Sequence, residues 1–176
     1  MKDLVIIVNE QDQELGTEEK LSAHQQGLLH RAFSIFIFNS CKQMLIHQRA
    51  HDKYHSGGLW TNACCSHPRQ GEELEAAAHR RLTEELGFDC PLQWKMSFIY
   101  RIKFERDNLF EHEFDHVFFG VTDQQPQPNP AEVADIAWVE LDDLYTDIAR
   151  HPDKYTYWFK VALEKIKPLL NTANFF

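Results

Sequence analysis

The chain has no stretch approaching the ~20 consecutive apolar residues of a membrane span, and its first ten residues, MKDLVIIVNE, carry one lysine and an apolar run too short for a secretion signal. Cytoplasmic residence is the expectation. It is not basic: 18 Lys and Arg against 27 Asp and Glu leave a formal net charge of -9. That balance argues against nucleic acid and anionic membranes as partners, since both need a cationic footprint. A small phosphorylated ligand needs only a local cluster of cations. There is no C-x-x-C, which argues against a sulfur-rich zinc finger. The four cysteines, Cys41, Cys64, Cys65 and Cys90, do not read as a disulfide framework in a chain of this size. A bond between the neighbours Cys64 and Cys65 would close a small, strained ring. Internal repeats are lacking, and the one biased stretch, QQPQPNP at 124–130, reads as a surface loop.

What is present is 176 residues with 43% apolar and 26% charged content, the profile of one globular domain over 1–176. Runs rich in Val, Ile and Phe predict strands at LVIIV, AFSIFIF, MLIHQR, FDHVFFGVT and DIAWVEL. Helices are predicted at EELEAAAHRRLTEELG, LDDLYTDIAR and DKYTYWFKVALEKIKPLL. In the first of these, Leu74, Ala78, Leu82 and Leu86 recur four apart and form one apolar stripe, and Gly87 sits where a left-handed cap belongs. Strands mixed with helices over short loops indicate a layered α/β or α+β domain.

Three clusters carry chemistry. On the first helix, Arg80 and Glu84 are four apart, as are Arg81 and Glu85. Each pair shares a face, either as solvated ion pairs or as a diphosphate site in which Glu85 holds Mg²⁺ and Arg81 meets phosphate. In WTNACCSHP, an extended backbone puts Cys65 and His67 on one face and Cys64 and Ser66 on the other. In FEHEFDH, it puts Glu111 and Glu113 on one face and His112 on the other. Ten histidines dilute the meaning of any one of them, and convergence of several is what would make a site.

The helix from Glu72 to Phe88 resembles the Nudix box, matching it at Glu72, Arg80, Leu82, Glu84, Glu85, Gly87 and Phe88. It departs at Ser66, in place of the leading Gly, and at Arg81, where Nudix hydrolases carry a metal-binding Glu. With KLSAH (Lys20–His24), LLHRAFS (Leu28–Ser34), WTNACCSHP, EHE (Glu111–Glu113) and the late WF (Trp158–Phe159), the chain resembles the type I isopentenyl-diphosphate isomerases. The resemblance implies an α/β/α Nudix-like sandwich around a mixed sheet. It implies conversion of isopentenyl to dimethylallyl diphosphate by protonation and deprotonation through a tertiary carbocation. By position, it puts a metal site at His24, His30, His67, Glu111 and Glu113, holding Mn²⁺, Mg²⁺ or Zn²⁺. It implies a catalytic thiol at Cys65 and a second catalytic group at Glu113 aided by Tyr100. Diphosphate contacts fall at Lys20, Arg49, Lys53 and Arg81, with a Mg²⁺ bridging Glu85 to the substrate.

Chemically, an unactivated alkene needs a positioned acid, and the cation then needs a base on the other side of the flat substrate. Glu113 with Tyr100 is assigned to the first step and Cys65, as thiolate, to the second, with the reverse assignment as the alternative; the roles swap in the back reaction. Trp158 is expected to turn its indole face to the cation. The partner is a small-molecule diphosphate, and the protein is expected to be a monomer or weak homodimer. The rival readings are a Nudix pyrophosphohydrolase and a metal-stabilised domain that binds an isoprenoid diphosphate without turning it over.

Overall fold

The computed structural model describes residues 3–53, 55–104 and 108–170. The strands are β1 (Leu4–Val8), β2 (Glu14–Glu19), β3 (His30–Phe38), β4 (Met44–Arg49), β5 (Trp60–Asn62), β6 (Cys64–Ser66), β7 (Leu92–Phe104), β8 (Leu109–Val121) and β9 (Val133–Val139). The helices are α1 (Lys20–Gln26), α2 (Leu74–Leu86), α3 (Leu141–Arg150) and α4 (Tyr157–Leu170), with a single 3-10 turn at Pro152–Lys154. Among the described residues no helix is long and apolar enough to cross a membrane.

β3 organises the sheet. It runs parallel to β8 in an unbroken register from His30↔Glu113 to Phe38↔Val121, and antiparallel to β1, β4 and β6. β7 pairs antiparallel with β8, and β4 pairs antiparallel with β5 and β9, so the sheet is mixed. Every residue of β3 except Arg31 is buried, as expected of a strand covered on both faces. Its period of two sorts the apolar side chains. Phe33, Ile35 and Ile37 pack with Leu82 and Leu86 of α2. Phe36 and Phe38 face the other way, onto Phe159, Leu163 and Ile166 of α4 and Leu144 of α3. The result is the expected α/β/α sandwich.

α2 forms where its apolar period predicts, and Gly87 ends it at φ 71°, in the left-handed region. A Cβ at Gly87 would lie 2.5 Å from the carbonyl oxygen of Gln127, so close approach also demands glycine there. The last predicted helix is interrupted. Tyr155 bridges to Trp60, and the Thr156 hydroxyl donates to Thr61 Oγ1 at 3.0 Å, so α4 begins only at Tyr157. That break anchors the start of α4 to β5 and thereby sets Trp158 in place.

β4 also carries a buried polar group, His47, whose Nδ1–H donates to the Ala63 carbonyl at 3.0 Å. Burial pushes its imidazole down from 6.5 to about 4. The unfolded chain therefore binds this proton more readily than the folded one between those values, and stability rises with pH across the window. Unfolding free energy measured by denaturant titration should fall as pH drops from 6.5 towards 4, with His47 contributing at most about 3 kcal/mol. His47→Gln should flatten that part of the profile. An equally steep profile in the variant would assign the loss to the carboxylates instead.

Candidate active site

His24 lies on α1, whose first turn is capped by Glu19 accepting from Ser22 N–H at 2.9 Å and whose end is set by Gly27 at φ 66°. Its Nδ1–H donates to the Lys20 carbonyl at 2.6 Å, which leaves the Nε2 lone pair pointing inward. His30 opens β3 and is held in the same way, Nδ1–H to the Leu28 carbonyl at 2.9 Å. His67 follows β6 and reaches Glu113 Oε1 with Nε2 at 3.0 Å. The β3–β8 register sets Glu113 directly beside His30, Nε2 to Oε1 at 3.7 Å. Glu111, two residues earlier and on the same face, has Oε2 3.2 Å from His24 Nε2. His112 points away and donates from Nδ1 to the Gly27 carbonyl.

These donors fit a divalent ion. One ligand atom each from His24, His30, His67 and Glu113 lies within 4.8 Å of all the others. At bond lengths of about 2.1 Å, octahedral neighbours lie about 3.0 Å apart and opposite ligands about 4.2 Å. His30 Nε2 and Glu111 Oε2 are buried without a hydrogen-bond partner, atoms that a cation between them would satisfy. Three imidazoles and two carboxylates suit Mn²⁺, Mg²⁺ or Zn²⁺. The electrostatics differ among the ligands: burial works against charging His24, yet the Glu111 hydrogen bond and charge raise its imidazole. Burial drives His67 down to about 4, so it presents a neutral ring. Burial works against ionisation of Glu113, yet the hydrogen bond from His67 and the closeness of the His30 and His67 rings hold its carboxyl well below the usual carboxylate range.

The thiol sits next to this cluster. In the β3–β6 ladder Cys65 faces Ser34, and Cys64 faces Ile35. Cys64 is fully buried in the core under α2. Cys65 turns to the opposite face, where its S–H donates to Asn62 Oδ1 at 3.0 Å and Ser34 Oγ lies 3.4 Å from the sulfur. Ser34 in turn donates to Asp115 at 2.8 Å. Burial and the Asp115 carboxyl push the Cys65 thiol far up, against the pull of Ser34 and Asn62. Tyr100, opposite Glu113 in the β7–β8 ladder, donates its hydroxyl to Glu113 Oε2 at 2.6 Å. Trp158 donates its indole N–H to Thr61 Oγ1 at 3.1 Å, and Thr61 donates to the same Asn62 oxygen at 3.0 Å.

Cys65, Tyr100, Glu113 and Trp158 all line one small cavity of about 60 Å³. Lys20, Arg49, Cys65 and His67 line both that cavity and a neighbouring cleft of about 320 Å³. The cleft adds Lys53, Arg81, Glu85 and Glu132. Its cations are partly satisfied within the protein: Lys53 pairs with Glu132, and Arg81 meets Glu85 at 2.5 Å and Glu132 at 3.4 Å. The Nε–H groups of Arg49 and Arg81 are nonetheless buried without a partner, and an anion in the cleft could accept from them. Burial and the charge of Glu132 push the Glu85 carboxyl up while Arg81 pulls it down. A dication between Glu85 and a diphosphate would favour the ionised form.

The site residues expected from the sequence thus line the cavity or the cleft, except His30, which is fully buried behind them and reaches the cavity only through Glu113. Several neighbours had no signature in the sequence. His55, from the loop after β4, sets Nε2 3.1 Å from Glu111 Oε1. Ser34, Asn62 and Asp115 surround the thiol, and Glu132 enters the cleft from the turn before β9. Only strand pairing brings them there, although HSGGLW ahead of WTN marks His55 as beginning a tight connection.

Comparison with known proteins adds the lineage. The NUDIX domain family matches residues 28–159. An isopentenyl-diphosphate delta-isomerase of Aromatoleum aromaticum is 51% identical over 94% of this chain and 87% of its own length. One of Photorhabdus laumondii is 52% identical over 91% of this chain and 90% of its own. One of Aliivibrio fischeri is 41% identical over 99% and 100%. Among solved structures, a protein of Deinococcus radiodurans superposes with TM-score 0.70 at 21% identity, over 84% of this chain and 90% of that one. The MutT protein of Methanosarcina mazei gives 0.67 at 14%, over 82% and 96%. These two speak to the fold alone. About half of the residues are shared with the isomerases over nearly the whole length, and the chain belongs to the type I isopentenyl-diphosphate delta-isomerase family, built on the Nudix fold.

Proposed function

We propose that the chain interconverts isopentenyl and dimethylallyl diphosphate, with the hydrocarbon in the cavity between Cys65 and Glu113 and the diphosphate in the adjoining cleft. The observation that carries this reading is the pair itself. A thiol and a tyrosine-bonded carboxylate face one small cavity that is walled by an indole and opens onto cations. The same reading has the chain working in the cytoplasm as a single domain, as a monomer or weak homodimer.

Isomerisation moves one proton onto the terminal alkene carbon and takes another from the carbon on the far side of the cation. The two protein groups must therefore differ by a proton, one loaded and one bare. The sequence suggests Glu113 with Tyr100 as the first donor. The surroundings favour the opposite loading: buried Cys65 keeps its proton, and Glu113 is ionised against His30, His67 and the Tyr100 hydroxyl. A dication held by His24, His30, His67, Glu111 and Glu113 would stabilise that carboxylate further and fix its position. With isopentenyl diphosphate, Cys65 then gives the first proton and Glu113 receives the second; with dimethylallyl diphosphate the roles exchange. Each turnover leaves the proton on the other group, so a reset precedes the next. Lys20, Arg49, Lys53 and Arg81 would anchor the diphosphate, and Glu85 would hold a Mg²⁺ whose charge offsets that of the diphosphate. Pyrophosphohydrolysis is disfavoured because Arg81 stands where Nudix hydrolases use a metal-binding Glu, and its guanidinium sits on Glu85.

The direct test is proton NMR of isopentenyl diphosphate with the protein and Mn²⁺ or Mg²⁺ in D₂O. Deuterium should enter the new methyl group of dimethylallyl diphosphate, with no phosphate or pyrophosphate released. Release of either without isomer would favour the hydrolase reading.

The two adjacent cysteines should separate. Cys65→Ala should lose nearly all turnover while staying folded. Cys64→Ala should keep most of it, at a stability cost of about 1 kcal/mol for a small core deletion. Equal inactivation by the two changes would refute the assignment of faces.

For Trp158, an aromatic face within ~6 Å of a desolvated cation contributes roughly 2 kcal/mol or more. That corresponds to about thirtyfold in rate. Trp158→Phe should retain much of the turnover, and Trp158→Leu should lose at least about 30-fold, both assayed folded and metal-loaded. If the two variants turn over equally, the indole is core packing alone.

A further inference from the structure

His55 lies outside the ligand set yet touches it, and its surroundings define what it does. Its side chain is 8% exposed, and its Nε2 is 3.1 Å from Oε1 of Glu111. The other oxygen of that carboxylate, Oε2, is buried without a hydrogen-bond partner and turns to His24 Nε2. The Ser56 hydroxyl lies 3.4 Å from His55 Nδ1 and can donate to it, which puts the ring proton on Nε2, where Glu111 accepts it. The imidazole is also clamped, stacked on Phe104 with centroids 5.9 Å apart and set edge-on to Trp158 at 5.5 Å.

His24, His55 and Glu111 also lie close enough together to suggest a second ion. The hydrogen bonds argue against it. His24 spends Nδ1–H on the Lys20 carbonyl and has a single inward lone pair, on Nε2. That lone pair cannot serve two cations, and without it only two ligands remain.

We propose that His55 is a positioning residue of the metal centre: it holds Oε1 of Glu111 so that Oε2 faces the ion. This rests on the reading that Glu111 is a ligand. It follows a general pattern, in which partners behind the ligands orient them and tune affinity. It also has a structural consequence. Arg49 Nη2 donates to the His55 carbonyl at 3.4 Å, and its guanidinium lies 5.2 Å over the Trp158 ring. The loop between Arg49 and Trp60 carries Lys53 as well. His55 thus ties the ion site and the aromatic wall together through its ring, and reaches Arg49 through its carbonyl.

The test is Mn²⁺ binding by titration calorimetry on full-length, metal-stripped protein, comparing wild type, His55→Ala, His55→Gln and Glu111→Gln. Outer partners of this kind are worth about 10–100-fold in metal affinity. His55→Ala should weaken Mn²⁺ binding by that factor, while the melting temperature of the metal-free protein stays close to wild type. His55→Gln, whose amide N–H can reach the same oxygen, should recover most of the affinity. At saturating Mn²⁺, His55→Ala should regain most of its turnover. Unchanged affinity in His55→Ala, with affinity lost in Glu111→Gln, would overturn the positioning role and leave the ligand set standing. Unchanged affinity in Glu111→Gln would overturn both. Equal loss in the Ala and Gln variants, together with a lowered metal-free melting temperature, would make His55 a packing residue and overturn the proposal.

Discussion

The parallel pairing of β3 with β8 is the constraint on which the site depends. One unbroken register sets His30 beside Glu113 and, four residues on, brings Ser34 to bond Asp115. The first contact supplies two donors of the candidate metal cluster, and the second lies behind the thiol. A slip of one residue would turn Glu111, Glu113 and Asp115 to the opposite face together. The register is secured by apolar side chains on both faces of β3. Packing of Phe33, Ile35 and Ile37 under α2, and of Phe36 and Phe38 against α3 and α4, therefore sets the chemistry at the end of the strand.

Around that strand the buried polar atoms divide into two kinds. Most are satisfied within the protein, as with the Nδ1–H groups of His24 and His30 on backbone carbonyls, or the Asn62 amide on the Ile35 and Cys64 carbonyls. Apart from Asp115 Oδ1 behind the thiol, four among the described residues are not: His30 Nε2, Glu111 Oε2 and the Nε–H groups of Arg49 and Arg81. The first two converge on the histidine cluster and the last two line or approach the cationic cleft. Leaving such groups unpaired is costly in a low-dielectric interior. Their grouping at two adjoining places fits a cation in one and an anion in the other.

The Nudix fold supplies the helix and the cleft, while the departures from the Nudix box redirect the chemistry. Arg81 replaces a carboxylate that hydrolases use to gather metal near the scissile bond. Here it places a guanidinium on Glu85 and Glu132. The metal-type donors gather instead around β3 and β8, next to the small cavity lined by Cys65 and Glu113. On the proposed reading, grip on the diphosphate and chemistry on the hydrocarbon fall in two adjoining cavities, with Cys65, His67 and Arg49 bordering both.

The sequence by itself determined what short-range periodicity can encode. The stripe Leu74, Ala78, Leu82, Leu86 and the capping Gly87 specify α2, because neighbours along a helix meet at fixed offsets. The same local rule separates Cys64 from Cys65 and aligns Glu111 with Glu113, because a strand alternates its faces. The ligand and thiol assignments were legible only through the resemblance to a family; a lone histidine among ten has no local mark of its role. Long-range pairing decided the rest. β7, with polar and charged residues along it, was not legible as a strand, yet its ladder with β8 aims Tyr100 at Glu113. The break at Tyr155 and Thr156 depends on contacts with Trp60 and Thr61, which no helical period reveals. His55 meets Glu111 across more than fifty residues of chain, and Asp115 reaches Cys65 only through Ser34 on another strand. Such contacts belong to register and packing between distant segments, and only the tertiary structure contains them.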